Sequence, residues 1–83
     1  MSFEARIKNL GKAFDGRLDH GLISNAVGYS EFGENGLAVE MIADCLFDSD
    51  VRITQDEFQE LLELARLTHA DVERVTLLGP LAM

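Results

Sequence analysis

The residues whose types could do chemistry are few: Cys45, His20, His69 and the run Asp48-Ser49-Asp50. A hydrolase needs a nucleophile, a general base and an acid that orients the base. Cys45 is the only thiol, and it falls beside Leu46 on the apolar side of a predicted helix, where a small buried hydrophobe is the expected role. His20 and His69 lie far apart in the chain, each at a predicted helix end. When protonated, His69 near a helix C-terminus suits the helix dipole. No catalytic set assembles from these residues, and no enzyme is expected.

Metal and cofactor motifs fail in specific ways. Asp48 and Asp50 match the first two ligand positions of a calcium loop, but Arg52, Ile53 and Gln59 occupy the next ligand, glycine and closing-glutamate positions. Paired cysteine and histidine spacing for zinc is absent. Gly33-Glu-Asn-Gly36 is neither a P-loop nor a dinucleotide fingerprint. An acyl carrier would need Asp-Ser-Leu at a helix start, whereas Asp48-Ser49 is followed by Asp50 at a helix end. No cofactor or metal is expected.

Charge is the stronger signal. The chain carries −8, and ten of its 15 acids fall between residues 31 and 63 with Arg52 as the only base there. Glu40, Asp44 and Asp48 repeat at i, i+4, i+8, and Asp56, Glu60 and Glu63 make a second stripe. Like charges four apart destabilise a helix by roughly 0.2–0.5 kcal/mol per pair. No base is interleaved in either stripe, so a basic partner is a reason for both. Such a field repels nucleic acid and attracts basic proteins. Glu31, Phe32, Glu34 and Asp50 extend the candidate surface at its edges, with Phe32 and Tyr29 as possible aromatic anchors.

The elements that must position these residues read as helices. Phe3, Ile7, Leu10 and Phe14 form one stripe, with Ser2 as N-cap, while Arg6, Lys8 and Lys12 fall on the water side. Gly11 interrupts this helix at a cost of about 1 kcal/mol relative to alanine. Asp19 caps a second helix with Leu22, Ile23, Ala26, Val27 and Tyr29 inward, stapled by Leu18 and Ile23. A turn-rich run from Tyr29 to Gly36 leads into a third helix, whose apolar set is Leu37, Ala38, Met41, Ile42, Cys45 and Leu46. Val51-Arg52-Ile53 reads as a linker with no partner strand. Thr54 and Glu57 form a capping box for a fourth helix, stapled by Ile53 and Phe58, with Phe58, Leu61, Leu62 and Ala65 inward. Asp71 caps a short fifth helix bearing Val72, Val75 and Leu78, and residues 81–83 read as a loose tail.

The fold class is therefore all-α: one domain over residues 1–83, a small bundle of four to five short helices. A chain this short buries only about 60–65 % of its unfolded surface, which leaves little room for a deep pocket. A single cysteine forms no internal disulfide. No apolar signal segment follows Met1, and no run reaches the ~20 residues of a membrane span. A cytoplasmic location is expected.

Glu31-Phe32-Gly33, then Gly36-Leu37-Ala38-Val39-Glu40, then Ile53-Thr54 opening an acidic helix, resembles the MafI-like small immunity proteins of bacterial polymorphic toxin systems. The resemblance covers residues 30 to 66. It implies a cytoplasmic antidote that neutralises the C-terminal toxin domain of a secreted or surface-displayed effector in contact-dependent inhibition. Such toxins are often nucleases, which would suit an acidic face. The alternative is a helical adaptor or regulatory subunit that binds a basic protein or dimerises through its apolar end, residues 72–83.

Overall fold

A computed structural model describes residues 2–82, and among these the chain forms five α-helices and no strand. They are α1 (Phe3–Phe14), α2 (His20–Glu31), α3 (Asn35–Asp48), α4 (Gln55–Leu67) and α5 (Val72–Thr76), followed by a 3-10 turn at Gly79–Leu81. The start signals operate as the sequence implies. Ser2 accepts from the Ala5 N–H, Asp19 from Gly21 and Asp71 from Glu73. At α4 both halves of the Thr54–Glu57 capping box are present.

Helix ends use a device that the sequence hides. In α2, α3 and α4 the second residue past the cap donates its N–H back across the last turn: Glu34 to Tyr29 O, Val51 to Leu46 O and Ala70 to Ala65 O. This Schellman closure needs a left-handed residue just before the donor, usually glycine. Gly33 supplies it for α2, but Asp50 (φ 53°) and His69 (φ 59°) do so for α3 and α4. The Asp48–Asp50 segment is thus spent on closing a helix.

Helix α3 is central: it contacts each of the other four helices. Its buried face is Ala38, Val39, Ile42, Ala43 and Leu46. The expected face is therefore rotated, with Val39 and Ala43 inside and Leu37 exposed. A helix with neighbours on several sides buries an arc wider than one stripe. For the same reason α4, packed on α3 and α5, buries Leu64 beside Leu61, Leu62 and Ala65, while Phe58 is half-buried. On α2, Leu22 and Tyr29 also lie outside the core.

Phe14 is the largest fully buried side chain, and it lies on the α1 stripe with Ile7 and Leu10. Gly11 on that stripe is also explained. A Cβ there would lie 3.0 Å from Val27 Cγ2 and 3.1 Å from Ile23 Cγ2, so the missing side chain sets how closely α1 and α2 cross.

Val51–Ile53 is a linker with no partner strand among the described residues, as the sequence implies, but it is tied at one point: Ile53 N–H donates to Leu81 O (3.0 Å), and Ile53 makes an isolated bridge to Ala82. The reading of a loose tail is corrected. The tail is accordingly packed, with Leu81 and Ala82 against the core and Leu78 fully buried. Met83 lies outside the described residues. Among the described residues, the apolar C-terminal segment thus packs largely on the chain's own core, with Leu77 exposed at that end. Among the described residues, no helix is long and apolar enough to cross a membrane.

Candidate partner-binding surface

The acidic stripes lie outward on α3 and α4, and the fold brings bases to them. Arg6 on α1 meets Glu60 through two hydrogen bonds (3.1 and 2.7 Å) and lies 3.3 Å from Glu63. Arg17, just past α1, grips both Glu57 oxygens (3.0 and 2.6 Å), donates to the carbonyls of Ala13 and Arg52, and stacks over Phe14. Arg74 on α5 lies 3.4 Å from both Glu40 and Asp44 and 3.6 Å from Asp71. Glu40 also accepts the Asp71 N–H at 2.8 Å and so helps seat the start of α5.

Bases absent from the stripes in sequence are therefore present in space, and Arg6 is half-buried rather than fully solvated. Helix-neighbour rules see partners three or four residues away; these partners lie 54, 40 and 34 residues away. The Arg6 and Arg17 pairings have a physical signature. The Arg17 hydrogen bond holds the Glu57 carboxyl below the usual glutamate range, helped by the Thr54 N–H. The arginines are held more firmly charged, Arg6 first by its hydrogen bond to Glu60 and Arg17 by its bond to Glu57.

What remains is a smaller negative set. Among the described residues, Glu34, Asp48, Asp50 and Asp56 have no ion-pair partner, and all four are exposed. Asp48 and Asp50 end α3 and Asp56 opens α4, so these three gather at the α3–α4 corner beside the half-exposed Phe47. Glu31 is only 4.0 Å from Lys8, near the limit of a direct pair.

Aromatic exposure marks the other end of α3. Phe32, at the C-cap of α2, is 86 % exposed, and Tyr29 is 38 % exposed. The turn that carries Phe32 is fixed from below by Ser30, which is buried and donates to Asn35 Oδ1 at 2.6 Å. Phe32 and Tyr29 line an open groove with Asn25, Gly28 and Met41. The sequence offered Phe32 as an anchor and Tyr29 as an anchor or core; the structure places both at the surface.

Compared with protein-family models, curated proteins and solved structures, the chain gives no match.

Two chemical groups complete the survey. Burial pushes the Cys45 thiol up, and Asp44 and Asp48 add to the shift, so it is a poor nucleophile near neutral pH. Sequence spacing also missed a short chain of contacts: Ser24 Oγ lies 3.4 Å from His20 Nε2, and His20 Nδ1 lies 3.5 Å from Asp15. The residue types are those of a hydrolase triad. Both links are long, however, the imidazole is 80 % exposed, and the contacts sit in water where they gain little strength. A helical i, i+4 pair beside a carboxylate accounts for them.

Proposed function

We propose that this chain is an immunity protein that binds and neutralises a cognate bacterial toxin domain, a basic one and by preference a nuclease. The observation that carries the reading is the residual acidity after internal pairing. Arg6, Arg17 and Arg74 are engaged, yet Asp48, Asp50 and Asp56 stay exposed, without ion-pair partners among the described residues, at one corner of the α3–α4 hairpin. Glu40, Asp44, Glu60 and Glu63 flank that corner along the two helices and contribute to its field. Glu31, Phe32 and Glu34 border the surface at the opposite end of α3.

A negative corner on a bundle braced by tertiary ion pairs is a preorganised surface. Preorganisation lowers the ordering cost of association, and complementary charge speeds encounter and selects partners. The resemblance of residues 30–66 to MafI-like proteins names the class of partner. The antidote would act in the cytoplasm of the cell that makes the toxin.

The test is co-expression with the C-terminal domain of the protein encoded immediately upstream. A stable complex that protects cells, and loses affinity as salt rises, is the expected result. An upstream product that neither binds this chain nor is inhibited by it would overturn the proposal.

A further inference from the structure

Helices α2 and α3 share an outward groove with no lysine or arginine on its walls. Neither residue occurs between Arg17 and Arg52, a span that includes both helices. The short connection at residues 32–34 folds α2 back onto α3. On α2, Leu22, Asn25, Tyr29 and Phe32 fall on one exposed side. On α3, Leu37 and Met41 stand one turn apart, and Asp48 lies two turns further along the same side. Asn25, Gly28, Tyr29, Phe32 and Met41 line the groove itself. Gly28 keeps it open: a Cβ there would meet nothing within 4 Å. Internal packing therefore gives no reason for a glycine in mid-helix, where it is disfavoured.

We infer that this groove receives an amphipathic helix of the toxin domain, one whose apolar stripe is flanked by Lys or Arg at both ends. The inference rests on the immunity reading and adds to it the apolar half of the interface. Charge argues for the occupant. Among the described residues, Glu34 and Asp48 are exposed without ion-pair partners, one at each end of α3. Glu31 beside Phe32 adds to the field at the first end. Acids at both ends repel another acidic chain and attract basic side chains.

Shape argues for a helix. Among the described residues no strand offers an edge for β-pairing, whereas a groove between two packed helices accepts the ridge of a third. Glu34 and Asp48 bound the 14 residues of α3, a length of about 21 Å, so the partner's basic residues lie about four turns apart. Between them, Tyr29 and Phe32 present aromatic surface of the kind that anchors interfaces. Asp48 also belongs to the α3–α4 corner, so groove and corner form one continuous surface.

Titration calorimetry of the full chain with the toxin domain encoded upstream tests the inference. Phe32→Ala should weaken the complex at least tenfold and leave the melting temperature of the free chain unaltered, because the ring is exposed. Gly28→Gln should weaken the complex at least tenfold while raising that melting temperature, a pairing of effects that a purely structural glycine would not produce. Glu34→Gln should slow association at low salt. Leu77→Ala, at an exposed leucine outside the groove, should change nothing. Hydrogen exchange on the toxin domain should show protection of one amphipathic helix with Lys or Arg at both ends of its apolar stripe. A complex that Phe32→Ala and Gly28→Gln leave at parental affinity, or protection that spares every such helix, overturns the groove alone and leaves the acidic corner as the contact. Absence of any complex overturns this inference together with the immunity reading.

Discussion

Arg6 and Glu60 stand 54 positions apart in the chain and meet through two parallel hydrogen bonds, joining α1 to α4. The forked geometry suits a guanidinium facing a carboxylate, and both side chains are partly shielded, at 20 % and 32 % exposure. Exposed ion pairs contribute about 0.2–1 kcal/mol, and the fork places this one at the upper end. A double-mutant cycle with Arg6→Ala and Glu60→Gln, followed by urea unfolding, should return a coupling of about 1 kcal/mol. Arg6→Lys should recover less than half of it, because an ammonium cannot make the fork. A coupling near zero would show that the pair forms without stabilising the bundle.

Acid should weaken the fold through Glu57. Its carboxyl is lowered first by the Arg17 hydrogen bond, with the Thr54 N–H adding to the effect. A carboxyl whose folded value lies below its unfolded value stabilises fully above the unfolded value, about 4.3 for glutamate. That contribution fades as pH falls through the folded value. Glu57→Gln retains an acceptor for the capping box but no longer titrates. The variant should therefore be about 0.5–1 kcal/mol less stable than the parent at pH 7, and the gap should narrow as pH falls below the usual glutamate range. Thermal unfolding across this range reads the difference, and a gap that stays constant with pH would remove Glu57 from the acid response.

Asp50 ends α3 in the left-handed region, at φ 53°, without the freedom of glycine. Such a conformation costs a non-glycine residue about 1 kcal/mol or more, and its carboxylate also opposes the α3 dipole. Asp50→Gly should raise stability by about 1 kcal/mol, a melting shift of about 4–8 °C in a domain of this size. A variant that melts no higher would mean that the carboxylate offsets the backbone strain.

How far the sequence carried depended on the range of each interaction. Caps at Ser2, Asp19, Thr54 and Asp71 act within three residues, and all four appear as read. The Asp50 and His69 closures are equally local but were missed, because neither residue advertises a left-handed turn as glycine does. Burial was legible only as far as one stripe. Val39, Ala43 and Leu64 went inside because α3 and α4 have neighbours on more than one flank, which a single helix does not reveal. The candidate surface shifted for a similar reason. Its acids were visible, but the arginines that neutralise some of them arrive from α1 and α5. Exposure of Phe32, in the turn between α2 and α3, has no periodic signal in the sequence.

The internal ion pairs divide the acids into two classes with opposite expected responses. Glu40 seats α5 by accepting the Asp71 N–H and facing Arg74, so Glu40→Lys removes a helix-start acceptor and places a like charge beside Arg74. It should destabilise the chain by about 1–2 kcal/mol. Asp48 has no ion pair among the described residues and sits in the last turn of α3, where a base is favoured by about 0.3–1 kcal/mol. Asp48→Lys should therefore hold or slightly raise stability while weakening a complex with a basic toxin domain at least tenfold, chiefly through slower association at low salt. Urea unfolding and surface-binding kinetics at two ionic strengths separate the two outcomes. Loss of the complex on Glu40→Lys alone, with Asp48→Lys binding as the parent does, would move the partner surface away from the α3–α4 corner.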